Sequence, residues 1–452
     1  MKFATFGSII YKNIKIMFYK SIYILIIIII IQFSGCTPFT HISEDDFISS
    51  KNKENNDDEW KWYFVDGNGT VGINKNPSNR ADDPQLTVYD SSLYAAWAEN
   101  NEIKITVYNN NDNNPSWSFI DYSIPGDKPQ LTVFNSKLYL IWRNSVINVA
   151  IYNGDNKNPS WTLISNNGLN KNINRFASYP QLTVYNSKLY ATWLEDFSGS
   201  ATIYNVRVAA YNGDENNPAW SFVDGENAYG LNIDPNDTAY CPQLTVFNSK
   251  LYIIWEENSQ PAKIHVAVYN GDENNPAWSF VENNGNDCIN KDITMHGSEP
   301  QLTVYKSDLY AIWTEFYNHQ NGSNLQVTVA KYNGDDTSPS WQYVDSGEDY
   351  GINKNIKESA DNPQLTSMNS NNPGLFAIWA EGSVSQIHVA IFNGENNSPM
   401  WSFIDSDNVH GINKDYNLRV LHPQLTAFNS KLYAIWQEDM PICQIRVAVY
   451  KK

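Results

Sequence analysis

Cysteine is scarce in this chain: four in 452 residues, at Cys36, Cys241, Cys288 and Cys443. No two of them form a C-x-x-C pair, so zinc-ribbon and dithiol redox chemistry lack a donor set. The last three allow at most one disulfide. Cys241 and Cys288 fall in successive loops of the same register, and their pairing and three unpaired thiols both stand open. Charged residues make up only 18%. No Gly-x-Ser-x-Gly stretch marks a serine nucleophile. Long apolar runs are missing except for Ile22 to Ile31, too short to span a membrane. What is abundant is aromatic: 14%, with 15 Trp and 28 Tyr. Aromatic side chains favour strands, and Asn- and Ser-rich stretches between them favour turns.

The apolar run follows Lys2, Lys12, Lys15 and Lys20 and ends at Phe33-Ser34-Gly35-Cys36. A basic stretch, a short apolar stretch and small residues are the parts of an export signal. The last four residues resemble the lipobox of bacterial lipoproteins, with Phe33 standing where that family usually has Leu. The resemblance implies cleavage after residue 35, acylation of Cys36, and a protein held by lipid at an outer membrane or cell surface. Residues 36–59 are polar and read as a flexible tether; residues 60–452 are the body. Loss of residues 1–35 removes four lysines and no acid, leaving 27 basic against 49 acidic residues, a net −22. Such a surface repels phosphate backbones, which excludes nucleic acid as a partner.

The body is a repeat. Pro-Gln-Leu-Thr occurs seven times, beginning at Pro84, Pro129, Pro180, Pro242, Pro300, Pro363 and Pro423. Each copy holds four short apolar and aromatic segments, a to d, bounded by Asn, Asp, Gly, Ser or Pro, as strands are. In the third copy they are Gln181–Tyr185, Leu189–Trp193, Val206–Tyr211 and Trp220–Val223. The segments are apolar on both sides of the pleat, so each small sheet must be covered on both faces. Four-stranded antiparallel sheets covered by copies of themselves are propeller blades. Fourteen of the 15 tryptophans take two positions, ending b or opening d, where they fill the space between blades.

The last copy stops at Tyr450 without a segment d, while Trp62-Tyr63-Phe64-Val65-Asp66 matches d and precedes the first repeat. The expected fold is therefore an all-β, seven-bladed propeller, with the N-terminal d strand completing the C-terminal blade and removing the open edge.

The a–b and c–d turns are nearly uniform, apart from an insertion at Asn371-Asn372-Pro373 in blade 6, and read as scaffold. The b–c and d–a loops vary and share the opposite face, where function is expected. Six copies carry a Glu two residues past the strand-b Trp: Glu99, Glu195, Glu257, Glu315, Glu381 and Glu438. Six d–a loops carry a Gly-Ile-Asn-Lys-like motif, and blade 2, with Asn144, lacks both. These glutamates read as clamps on the loop entering their own blade; a catalytic or metal-binding acidic ring is the alternative. The Asn-Gly-Asp-x-x-x-Pro-x-Trp turn resembles the sialidase Asp-box in place and in its closing Trp but not in spacing. Kelch Gly-Gly doublets and WD40 signatures are absent.

These features describe a non-catalytic binding module for a glycan or an envelope protein. Its candidate contacts are Phe197, Tyr204, Tyr229, Tyr240, Phe316, Tyr317 and His319. No cofactor or metal is expected; His265 and His388 read as structural. The alternatives are an architectural scaffold of an envelope complex and a sialidase-like hydrolase. Against the latter, Arg80, Arg143, Arg175 and Arg419 are spread around the ring.

Overall fold

The computed structural model describes residues 60–452 apart from 68–71, 198, 200–201, 226–228, 284–286, 320–321, 346–350, 370–372, 399, 406–410 and 440–441. The export signal, Cys36 and the tether thus lie outside the described residues. Seven four-stranded antiparallel sheets form the body, and the described residues contain no helix.

Blade 1 runs a Ala81–Tyr89, b Ser92–Glu99, c Glu102–Tyr108 and d Trp117–Phe119. Blades 2 to 6 repeat this order. Blade 7 takes a, b and c from Arg419–Phe428, Lys431–Asp439 and Gln444–Lys451, and its d from Lys61–Phe64. Trp62 pairs with Tyr450 and Phe64 with Ala448, and the Val65 N–H continues to the Val447 carbonyl at 2.9 Å. The seventh blade is shut by the start of the body.

Strand a is longer than its apolar segment. In blade 3 it runs Ala177–Tyr185 rather than from Gln181, because Tyr179-Pro180 form a bulge between the Ser178–Leu194 and Gln181–Thr192 pairs. Proline has no N–H for the ladder, and a bulge tolerates it. In six blades the a–b turn has positive φ at both central residues, as at Asn186 (46°) and Ser187 (57°), the backbone that a twisted two-residue hairpin needs; blade 6 joins Met368 to Gly374 by a longer connection.

Apolar cores sit between blades rather than within them. Trp97, Leu86 and Tyr108 of blade 1 bury against Tyr433, Ile435 and Val447 of blade 7, and six further clusters repeat this at the other junctions. Three hydrogen-bonded belts add to it. Innermost, Gln130 Oε1 accepts the Leu182 N–H of the next blade at 2.7 Å, and Thr132 Oγ1 donates to the Leu182 carbonyl. The Gln and Thr of Pro-Gln-Leu-Thr thus satisfy the backbone edge that faces the channel. Thr426 reaches Leu86 and carries the belt across the closure. Outermost, six of the seven strand-d indoles donate to the preceding blade, as Trp117 does to Val65 at 2.8 Å, while the buried Trp161 Nε1 finds no acceptor. On the turn face, lysines and tyrosines of strand b meet an acid of the next blade, as Lys188 and Tyr190 meet Glu273.

Cys241, Cys288 and Cys443 are free thiols, which closes the question of a Cys241–Cys288 disulfide. His265 and His388 are buried against Glu282 and Asp405, at 2.7 and 2.5 Å.

Candidate functional site at the channel mouth

The six repeated glutamates are buried. Glu195 accepts the Lys171 and Asn172 N–H groups at 2.7 and 2.9 Å and the Trp193 indole at 3.2 Å. Glu99, Glu257, Glu315 and Glu381 repeat the three bonds. Glu438 holds Lys414 and Asp415 but takes Arg446 Nε at 2.7 Å in place of the indole. Burial pushes the Glu315 carboxyl up to about 7, against the pull of its N–H partners. The motif asparagines tie the same loops backward: Asn170 Oδ1 accepts the Ile147 N–H from strand c of the preceding blade at 2.9 Å. In blade 2 the Trp142 indole donates instead to the Pro125 carbonyl, and Arg143 pairs with Asp127.

The open site lies elsewhere. A cavity of about 430 Å³ sits in the central channel, lined by strand a of all seven blades. At its rim, where the d–a loops feed into strand a, stands the residue before each Pro-Gln-Leu-Thr. These seven residues are Asp83, Lys128, Tyr179, Cys241, Glu299, Asn362 and His422, and no two are alike. All seven are left-handed, with φ between 47° and 55°. That conformation costs a non-glycine residue about 1–3 kcal/mol when its surroundings impose it. Glycine would remove the strain, yet no copy uses it. A position left-handed in every repeat, and filled by seven different residues of which only Asp83 and Glu299 share a functional group, points to a use for its side chains.

Around the ring the groups touch. Lys128 Nζ is 3.2 Å from Asp83 Oδ1 and 4.7 Å from the Tyr179 ring centre. Glu299 Oε2 accepts the Asn362 N–H at 2.5 Å, Asn362 Oδ1 accepts the His422 N–H at 3.2 Å, and His422 Nδ1 lies 3.8 Å from Asp83. Burial, chiefly, raises the Tyr179 hydroxyl and the Cys241 thiol and lowers the His422 imidazole. Behind Cys241, Glu256 on strand b accepts the Glu299 N–H at 3.3 Å. Desolvation pushes Glu256 up to about 7, with the nearby Glu299 charge adding to it, and burial raises Glu299 as well. No cluster of three His, Cys, Asp or Glu suited to a metal occurs among the described residues.

The ring has a mark in the sequence, but in what varies. Pro, Gln, Leu and Thr are constant in all seven copies, and the third residue before each Pro is always Ala, Gly or Val. Between these constants the residue before Pro changes every time, and a search for shared motifs passes over it.

The aromatic candidates divide. Phe197 and Tyr229 meet edge to face at 5.3 Å. Tyr204 packs at 6.1 Å on Phe176, which lies under the Arg143 guanidinium at 5.0 Å. Tyr240 pairs across the sheet with Glu256. Phe316 and Tyr317 belong to the blade 5 hairpin, opposite Leu325 and Asn324; the His319 side chain is outside the described set.

No family model matches the chain, and no curated protein does either. Solved structures do match. The polysaccharide lyase Uly1 superposes with a TM-score of 0.51 at 11% identity, over 86% of this chain and 97% of its own. A GH93 α-L-arabinofuranosidase of Fusarium graminearum, solved with arabinobiose, gives 0.44 at 11% identity, over 85% and 96%. An endo-arabinase from Bacteroides thetaiotaomicron gives 0.37 at 9%, over 58% and 92%. The likeness is one of fold. This is a seven-bladed β-propeller.

Proposed function

We propose that this chain is an exported, lipid-anchored propeller that recognises a glycan at its channel mouth. The observation that carries the reading is the ring of seven unlike left-handed residues. It offers donors and acceptors of several kinds beside one exposed aromatic ring, Tyr179, which suits a ligand covered in hydroxyl groups. The cavity of about 430 Å³ lies in the range that holds a small organic ligand. A polysaccharide-acting protein, the lyase Uly1, is built on the same fold.

One observation favours a second reading, hydrolysis. Asp83 and Glu299 are carboxylates of the same ring in unlike surroundings, one beside Lys128 and one desolvated. Unequal acids are what glycoside cleavage needs. A glycan array with the purified body and Tyr179→Gly tests recognition: selective binding lost in the variant supports it, and no binding to any glycan sinks it. Reducing ends released from the bound glycans would transfer the site to the hydrolytic reading.

A further inference from the structure

The rim of the mouth is unequal in height. Blade 2 joins b to c through Ser145 alone, between the paired Asn144 and Val146, and blade 1 through Asn100 and Asn101. In blade 3 strand b ends at Asp196 and c begins only at Tyr204, and in blade 5 the two strands run on until His319 pairs with Gly322. The loop entering blade 2 is also short, from Phe119 to Asp127, against Phe222 to Ala239 for blade 4. It lies flat on blade 1, with the Ile103 N–H on the Ile124 carbonyl and the Gly126 N–H on the Asn101 carbonyl. Both kinds of connection on this face are shortest at blade 2, which makes that sector the low one.

Beside this low sector stand two aromatic rings, each backed by a cation. Tyr179, in the ring, has Lys128 over it at 4.7 Å, and Phe176, nearer the opening, has Arg143 at 5.0 Å. Arg143 is fixed by Asp127 and lies 3.3 Å from Ser178 Oγ, so it bridges blades 2 and 3. Phe176 and Tyr179 are 42% and 41% exposed. They are three residues apart, so their Cα atoms are separated by at most about 11 Å, within reach of linked sugar units. Each cation carries its own aspartate, Asp83 or Asp127, so the sector has no net charge.

Resting on the channel-mouth reading, we propose that the mouth is open sideways at blade 2 and takes an elongated neutral glycan, one unit in the ring beside Tyr179 and the following units over Phe176 and out across the low rim. Phe176 then sets affinity for length, whereas Tyr179 sets affinity for any ligand at all.

The test is an array on which each neutral and uronic acid glycan is printed as a length series from one to six units, probed with the parent protein, Phe176→Ala and Asn144→Trp. Asn144 is exposed on the low rim, so the tryptophan obstructs the way out without entering the core. Expected is parent binding that rises with length on a neutral series. Phe176→Ala should weaken the long members about ten-fold, the value of one lost stacking contact, and the single unit less than two-fold; Asn144→Trp should follow the same split. Binding that Phe176→Ala leaves unchanged, or weakens equally at all lengths, overturns the proposal, as does a preference for the uronic acid series. No binding by the parent to any glycan fails the channel-mouth reading itself, and the proposal with it.

Discussion

Lys128 holds its ammonium 4.7 Å above the ring of Tyr179, and the two residues occupy one and the same position of adjacent repeats. Their side chains differ while their backbones agree, at φ 49° and 50°. Replacing Tyr179 by Gly or by Ala therefore separates two effects. Both variants should lose ligand. The glycine variant should be the more stable of the two by about 1 kcal/mol in urea unfolding, because it alone relieves the left-handed strain. Equal stabilities would mean that the backbone bears no strain at this position.

The glutamate clamp predicts a structural loss instead. Glu195→Ala leaves two backbone N–H groups and an indole N–H without their acceptor, a cost of about 2–4 kcal/mol. Amide exchange at Lys171 and Asn172 should quicken more than elsewhere. Unchanged exchange at those two amides would refute the clamp.

Glu256 predicts a pH dependence. Its carboxyl is held up at about 7 by desolvation, above the value it takes in an unfolded chain, so the native state binds the proton more tightly. The stabilising contribution is complete below the unfolded value and is lost as pH rises through about 7. Glu256→Gln cannot lose that proton. It should match the parent at pH 4.5 and melt higher than the parent at pH 8; a gap that shrinks with rising pH would reverse the sign and the argument.

Cys36 lies outside the described residues and is tested chemically. Cys36→Ala should abolish incorporation of labelled fatty acid and move the protein from the membrane fraction to the soluble fraction. Retention in the membrane without label would assign attachment to another element.

The closure was legible because segment d occurs seven times, offset by one from the seven a-b-c sets. Trp62 matches Trp117 and the other strand-d tryptophans, and the seventh copy visibly ends at Tyr450, so counting repeats places the missing strand. The glutamates could be tied to the d–a loops because blade 2 lacks the Glu and the loop motif together. The ring escaped the same method. Asp83, Tyr179 and Cys241 share no chemistry, and their common feature is a φ angle. Likewise, the aromatic pair Phe197–Tyr229 and the Phe176–Arg143 stack are contacts between neighbouring segments that repeat logic treats one at a time.

By itself the amino-acid sequence determined the all-β architecture, the number of blades and the closing strand, since each follows from local period and from copies counted along one dimension. Tertiary structure alone decided where the open site lies. Residues 83 to 422 are brought to one mouth only when seven twisted sheets close on themselves, and the bulge before each proline then turns an otherwise variable side chain to the rim of the channel.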